Sequence, residues 1–375
     1  MILILHNRYR AAGGEERAVG DLAALLRRRG HEVEVLERSS DALGRVQAAR
    51  GLLAGGLDPD EIAEIVRHRG VRVVHAHNIH PLFGWRALAA ARSAGARTVL
   101  HLHNYRLFCA IGIAYRDGAT CFRCRRGHTR PGLRLRCRGS LPEAAVYALA
   151  LRRQQPPLFE HVDQFVAVSD ALSTHLRDLG LPSSLTATLP NFLPDDQFAQ
   201  SSRAGAGEFA LGVGRLTEEK GFDTAISAAR ASGVPLVIAG AGPDEGRLRA
   251  LAAGADVRFT GRLAPDALAD LRTRAAVVLA PSRWEEPCPY SVLEAMASGV
   301  PVLASDRGGL PELVGAEAVL PAADVAPWSA ALSELWNSSR LRAQRGEQAL
   351  TRARRQFGEA DYYEGLTRLY DRVSP

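Results

Sequence analysis

The chain alternates short apolar runs with amphipathic helical patterns, and it does so in two series. In the first half, apolar runs at 2–6, 32–36, 71–75, 98–101 and 164–168 are separated by longer mixed stretches. The stretch 15–29 is the clearest of these: Ala18, Leu22, Leu25 and Leu26 recur at helical spacing, and Gly30 follows as a C-terminal stop. Ser169 and Asp170 stand after the last run as helix N-cap candidates. A second series lies at 209–213, 236–239, 257–260, 277–280 and 300–304. Runs this short and this apolar are strands buried on both faces, which implies a parallel sheet with helices on either side. Pro190-Asn191-Phe192-Leu193-Pro194 breaks the alternation, and the polar segment 195–207 reads as a linker. The expected class is α/β, with two Rossmann-like domains facing each other across a cleft.

Length supports two such cores, since 375 residues exceed what one domain of this kind needs. No apolar run reaches about 18 residues, so no spanning helix is expected. The opening Met1-Ile2-Leu3-Ile4-Leu5-His6 is too short for a signal peptide and reads as a first buried strand, which sets the expectation of a cytoplasmic protein. Net charge is +6 and the pI about 9.3. A basic balance suits nucleic acid, an anionic membrane surface or an anionic small ligand. No helix-turn-helix, zinc-finger or aromatic RNA-binding pattern accompanies the charge, so nucleic acid is not expected as a partner. The basic residues are 46 arginines and a single lysine, Lys220. Arginine is a planar fork, whereas lysine is a compact point charge that donates in any direction. Arg215 and Lys220 flank a turn after the run 209–213, and in α/β proteins ligands bind beyond the carboxyl ends of strands. Two cations there suggest a diphosphate site.

The longest informative motif runs from Pro281 to Pro301 and includes Glu285-Glu286-Pro287-Cys288-Pro289-Tyr290-Ser291 and Glu294. It leaves a strand, forms a loop with two prolines and enters a helix near Ser291. Glu286 and Glu294 are placed to accept from vicinal hydroxyls, because each carboxylate takes two donors. Ser291 and Glu294 also have the spacing of a capping box, which would make Glu294 structural.

Together with other motifs, this one resembles the family 4 retaining glycosyltransferases of the GT-B fold. The others are Gly13-Gly14-Glu15, Gly30-His31-Glu32-Val33, His101-Leu102-His103-Asn104-Tyr105, Gly214-Arg215-Leu216 through Lys220-Gly221, Gly240-Ala241-Gly242-Pro243 and Gly308-Gly309-Leu310-Pro311-Glu312. The resemblance implies an N-terminal acceptor-side domain at 1–193 with a Cys/Arg-rich insertion at 109–138. It also implies a nucleotide-sugar-binding domain at 194–357 and a terminal helix at 358–375 that packs back on the first domain through Tyr362, Tyr363, Leu366, Leu369 and Tyr370. It assigns Arg215 and Lys220 to the donor diphosphate, Glu294 to the ribose, and Glu286 to the donor sugar. The loop carrying Glu286, Pro289, Tyr290 and Ser291 would hold that sugar. Gly13 and Gly14 would let backbone N–H groups approach phosphate or sugar, His103 would face the transferred sugar, and Arg262 would lie beside the nucleobase through its backbone. Where relatives often carry Phe-Gly-Leu, this chain has Cys288-Pro289-Tyr290, and proline lacks the N–H that glycine offers. The implied function is transfer of a sugar from a UDP- or GDP-sugar to an acceptor hydroxyl with retention, with no cofactor required for catalysis. The acceptor would be a sugar, glycolipid or small molecule, reached in the cytoplasm or at the inner face of the membrane.

Other readings remain open on sequence. A nucleotide-sugar epimerase of the same fold would share the diphosphate site, and a pyridoxal-phosphate phosphorylase would use the sole lysine as its Schiff base. A non-catalytic basic binding protein would explain the charge alone. Asp58-Pro59-Asp60 has the form of a metal-binding pair but lies between helices and reads as an N-cap. Cys121-x-x-Cys124, with Cys109 and Cys137 and with His128 as a substitute, has the spacing of a structural zinc site.

Overall fold

A computed structural model describes residues 1–8, 13–39 and 43–373. The chain divides into two compact units. One comprises Met1–Ala114, Cys121–Asn191 and the chain from Tyr362 onward, and the other Tyr115–Thr120 and Phe192–Asp361.

The first half contains β1 (Ile2–Arg8), β2 (Val33–Ser39), β3 (Val73–Ala76), β4 (Arg97–Leu102), a small hairpin of β5 (Tyr115–Arg116) and β6 (Ala119–Thr120), then β7 (Gln164–Ala167) and β8 (Thr186–Thr188). All but the hairpin form one parallel sheet in the order β2-β1-β3-β4-β7-β8. The apolar runs explain the centre of this sheet: Leu3, Ile4, Leu5, Val74 and Val99 are 0% exposed. Ser169 caps the helix Asp170–Leu179, its hydroxyl accepting from the Leu172 N–H at 3.2 Å. In the last helix, Tyr362, Leu366, Leu369 and Tyr370 are buried within the first unit.

The second unit has β9 (Phe209–Val213), β10 (Leu236–Ala239), β11 (Val257–Gly261), β12 (Ala275–Ala280), β13 (Val302–Ser305) and β14 (Val319–Leu320). They form a parallel sheet in the order β11-β10-β9-β12-β13-β14. Its core packs Phe222, Ile226, Ile238, Leu279 and Trp328 on one face, and the Trp328 indole N–H donates to the Pro321 carbonyl at 2.9 Å. The α/β class and the two parallel sheets match the sequence expectation.

Three features differ from it. The segment 195–207 is not a loose linker: Ala199 N–H donates to the Ala297 carbonyl at 2.8 Å, and Arg342 donates to the carbonyls of Ala204 and Gly205 at 3.0 and 2.8 Å. Polar composition misled here because the segment's partners are a buried arginine and backbone rather than apolar side chains. The strands β8 and β14 were not foreseen, being short and only half-buried. Within the insertion 109–138, residues Tyr115–Thr120 group with the second unit. No helix among the described residues is long and apolar enough to cross a membrane.

Candidate active site

In the second sheet the strand order reverses between β9 and β12, and an open α/β sheet binds ligands beyond the carboxyl ends of strands at such a point. Two loops leave those ends. Gly221, at φ +67°, closes the loop after β9, and a Cβ there would lie 2.0 Å from the Pro281 carbonyl oxygen. Only glycine permits that approach. The Arg283 N–H donates to the Glu219 carbonyl at 2.8 Å, and the Arg283 guanidinium pairs with Asp223 at 2.8 Å. The loops are therefore fixed to each other, and Lys220 meets Glu286. Lys220 Nζ donates to Glu286 Oε1, which also accepts from Ser282 Oγ at 2.7 Å. Their side chains are 17% and 5% exposed. Lys220 also lies 5.6 Å from the centroid of the Trp284 ring. One carboxylate oxygen takes both bonds, which leaves Oε2 and the remaining ammonium protons to meet a ligand.

The backbone of Glu286 is held as firmly. Gly309 N–H donates to its carbonyl at 2.6 Å, and Gly308 N–H donates to Glu285 Oε2 at 2.8 Å. A Cβ on Gly308 would lie 2.2 Å from the Glu286 carbonyl oxygen. Glu285 Oε1 accepts from Thr120 of the hairpin at 2.9 Å. Arg215 is looser: its side chain is 62% exposed and 3.5 Å from Glu219. Arg262 is exposed and directly follows β11, at the same end of the sheet.

The helix Tyr290–Ala297 begins at Pro289, which occupies the N-cap position without a side-chain bond. The capping box at Ser291 and Glu294 does not form, because proline starts the helix before Ser291 and puts both residues inside it. Glu294 Oε2 instead accepts from Arg272 at 2.7 Å, with the two side chains 15% and 10% exposed. Glu294→Gln is expected to destabilise the protein by roughly 2–3 kcal/mol, because it leaves a buried guanidinium without its countercharge. Urea unfolding with an unchanged midpoint would contradict this role.

In the first sheet the order reverses between β1 and β3. Gly13 is the N-cap of the helix Gly14–Arg28, and its N–H is taken by Glu16 Oε2 at 2.8 Å. An anion reaching that N–H has to displace Glu16. Residues 9–12 of the same turn lie outside the described residues. His103 follows β4 and is half-buried, whereas His101 is 2% exposed, a core residue. His103 belongs to a block of imidazoles with His75, His77 and His101. His77 Nδ1 lies 2.9 Å from His103 Nε2, His75 Nε2 lies 3.3 Å from His101 Nδ1, and Tyr370 OH lies 2.8 Å from His75 Nδ1. Burial holds the pKa of His75 down to about 3, and those of His77, His101 and His103 well below the ordinary value, so the block is neutral. A small recess of about 30 Å³ opens beside it, lined by Glu15, His77, His80, His103 and Asn104 among others.

The zinc expectation finds no support in the arrangement of the cysteines. Among the described residues, one group of three or more His, Cys, Asp or Glu has ligand atoms within 4.8 Å of one another, and it is His75, His77 and His101 rather than the cysteines. Cys109, Cys121 and Cys124 form no disulfide. The Cys124 thiol is pushed up to about 11 by burial and by its neighbouring thiols. The hairpin between Cys109 and Cys121 is seated on Glu218 and Glu285. Asp58 stands at the N-cap of the helix Pro59–Arg69, without a side-chain cap bond. Sequence reasoning missed Ser282, Glu285, Trp284 and His77. The two His-x-His pairs were visible, but their meeting depends on strand order.

Comparison with known proteins agrees with this fold. Residues 12–197 match the model of "Glycosyltransferase Family 4" and residues 195–352 that of "Glycosyl transferases group 1". A Salmonella typhimurium protein described as a colanic acid biosynthesis glycosyltransferase is 30% identical over 230 residues, 56% of each chain. A GDP-mannose-dependent alpha-mannosyltransferase of Mycolicibacterium smegmatis is 39% identical over 123 residues, 30% of this chain and 32% of the relative. These matches thus span about half, or less, of the relatives' length. Anabaena HepE, crystallised with UDP, superposes with a TM-score of 0.67 at 17% identity, covering 99% of this chain and 100% of HepE. Sucrose-phosphate synthase from Thermosynechococcus elongatus gives 0.71 at 17%, covering 99% and 98%. Two consecutive family matches and whole-chain structural likeness place this chain among the glycosyltransferases of the GT-B fold.

Proposed function

We propose that the chain is a retaining glycosyltransferase that moves a sugar from a UDP- or GDP-linked donor to a hydroxyl of a sugar, glycolipid or small-molecule acceptor. The observation that carries this reading is the pairing of the only lysine with a buried glutamate where the strand order reverses. Departure of a nucleoside diphosphate builds negative charge on phosphate and positive charge on the sugar. Lys220 and the exposed Arg215 stabilise the first, and a cation already held in place, as Lys220 is, acts without reorganisation cost. Glu286 offers Oε2 to a sugar hydroxyl, Glu294 and Arg262 meet the nucleoside, and the Pro289-Tyr290-Ser291 turn borders the sugar. His103 contacts the transferred sugar. In the transfer step, the bond from the anomeric carbon to the diphosphate oxygen breaks. The acceptor oxygen bonds to that carbon from the same face, and the acceptor proton passes to a phosphate oxygen.

One relative is named for GDP-mannose and one structural neighbour holds UDP, so both donor classes belong in the test. Exposed Val46, Leu141 and Leu149, with Arg45, Arg138 and Arg153 near them in sequence, support peripheral contact with an anionic membrane, where a glycolipid acceptor would lie. The test is thermal protection by UDP-glucose and by GDP-mannose, followed by NMR of the product anomer. A donor at a hundredfold over its Kd stabilises by about 2.7 kcal/mol. Protection by neither, or an inverted product, would defeat the reading. Conversion of the donor to another nucleotide sugar without acceptor would favour an epimerase.

A further inference from the structure

The histidine block carries an inference that rests on the reading above and refines one of its residues. His77 and His103 have nearly parallel ring planes, 17° apart, with centroids at 5.2 Å. At that separation, an N···N distance of 2.9 Å requires the rings to meet edge to edge, nearly in one plane. His75 and His101 meet in the same way, at 5.4 Å between centroids and 9° between planes. The two pairs lie against each other, with His75 4.8 Å from His77 and His101 4.6 Å from His103. The paired nitrogens point at each other rather than at a common centre, the arrangement of hydrogen-bonded imidazoles rather than of metal ligands.

An orphaned nitrogen fixes the direction of one bond. His77 is 3% exposed, and its Nε2 is buried without a partner. A neutral imidazole carries one N–H. A proton on Nε2 would leave a buried donor unsatisfied, whereas a proton on Nδ1 leaves only an empty acceptor, the more tolerable defect. His77 therefore donates Nδ1–H to His103 Nε2. His103 then carries its own proton on Nδ1, the ring nitrogen turned away from His77. His103 lines the recess beside the block, and its side chain is only half-buried.

We propose that His77 is the positioning residue for His103: its Nδ1–H holds the ring plane and the tautomer, so that His103 presents an N–H donor, not a base, to the ligand oxygen it meets. Proton bookkeeping is consistent with transfer, since the acceptor's proton goes to phosphate and His103 has no proton to accept.

The test is the two-bond ¹H–¹⁵N correlation spectrum of the full chain with ¹⁵N-histidine. His103 is assigned by its loss in His103→Ala. The wild-type protein should show His103 as the Nδ1–H tautomer, and an Nε2–H form there overturns the proposal with no variant needed. In His77→Phe the Nε2–H form, which imidazole prefers in water, should take over. His77→Asn, whose amide nitrogen falls near the place of Nδ1, should restore the wild-type form. Nucleoside-diphosphate release from whichever of UDP-glucose and GDP-mannose protects the protein should fall roughly tenfold in kcat for His77→Phe, less than the loss of a transition-state donor outright. The donor KM should hold, and His77→Asn should recover most of the rate. An unchanged tautomer in His77→Phe overturns the proposal. Wild-type turnover in His103→Ala would instead remove His103 from the reaction, which is a failure of the functional reading and is visible separately from the tautomer.

Discussion

Lys220→Arg is expected to lose turnover by on the order of 10², the loss typical of removing one preorganised transition-state donor. In a chain with 46 arginines, one more would be silent at a solvated turn. Lys220 is not at such a place. Its side chain is 17% exposed, its ammonium touches Glu286, the Trp284 ring covers it, and its Cδ lies 3.9 Å from where a Gly214 Cβ would stand. A guanidinium keeps the charge but is wider and planar, so it cannot donate to Oε1 and to a phosphate oxygen from the same point. Stability should change little, because Glu286 keeps a cation and its bond to Ser282. Lys220→Ala should differ there: it leaves a buried carboxylate uncompensated, which costs about 3 kcal/mol or more in addition to the activity. Steady-state turnover and urea unfolding of both variants check this pattern. A Lys220→Arg enzyme with wild-type turnover would refute a direct role for the lysine.

The contrast between what was and was not legible in the sequence follows from the range of the interactions. Strands such as 209–213 and 277–280 were readable because burial on both faces demands unbroken apolar residues, a purely local signal. Positions of Lys220 and Glu286 were readable for the same reason, since each follows such a strand. Their contact was not, because it depends on Gly221 lying against the Pro281 carbonyl, a meeting of two loops 60 residues apart. Glu294 was ambiguous because Ser291-x-x-Glu294 is a local pattern, whereas its partner Arg272 sits 22 residues earlier on another helix. Cysteine spacing suggested a converging set, but among the described residues no three of the cysteines bring their sulfurs within 4.8 Å of one another. His-x-His at 75–77 and at 101–103 each put two imidazoles on one face of a strand. That β3 and β4 are neighbours, which joins the pairs, is a fact of topology.

Glu286→Gln separates charge from shape at the other end of the same pair. The amide keeps the volume of the carboxylate and can still accept from Ser282, so the loop, fixed through Gly308 and Gly309, should keep its conformation. Two things are lost. Lys220 no longer has a countercharge, so its ammonium is held less firmly where the diphosphate departs. The position of Oε2 either becomes an amide donor or accepts with less strength from a hydroxyl of the sugar whose anomeric centre gains positive charge. A hydrogen bond to a charged group contributes about 1.5–3 kcal/mol, so turnover should fall on the order of ten- to a hundredfold. Donor affinity should fall less or even rise, because an unpaired lysine attracts the diphosphate more strongly in the ground state. That divergence identifies the contact as one made in the transition state. Donor Kd by calorimetry beside kcat makes the comparison. Equal losses in Kd and in kcat/KM with kcat unchanged would mean that Glu286 only helps to hold the donor, and the catalytic assignment would pass from the pair to Lys220 and Arg215 alone.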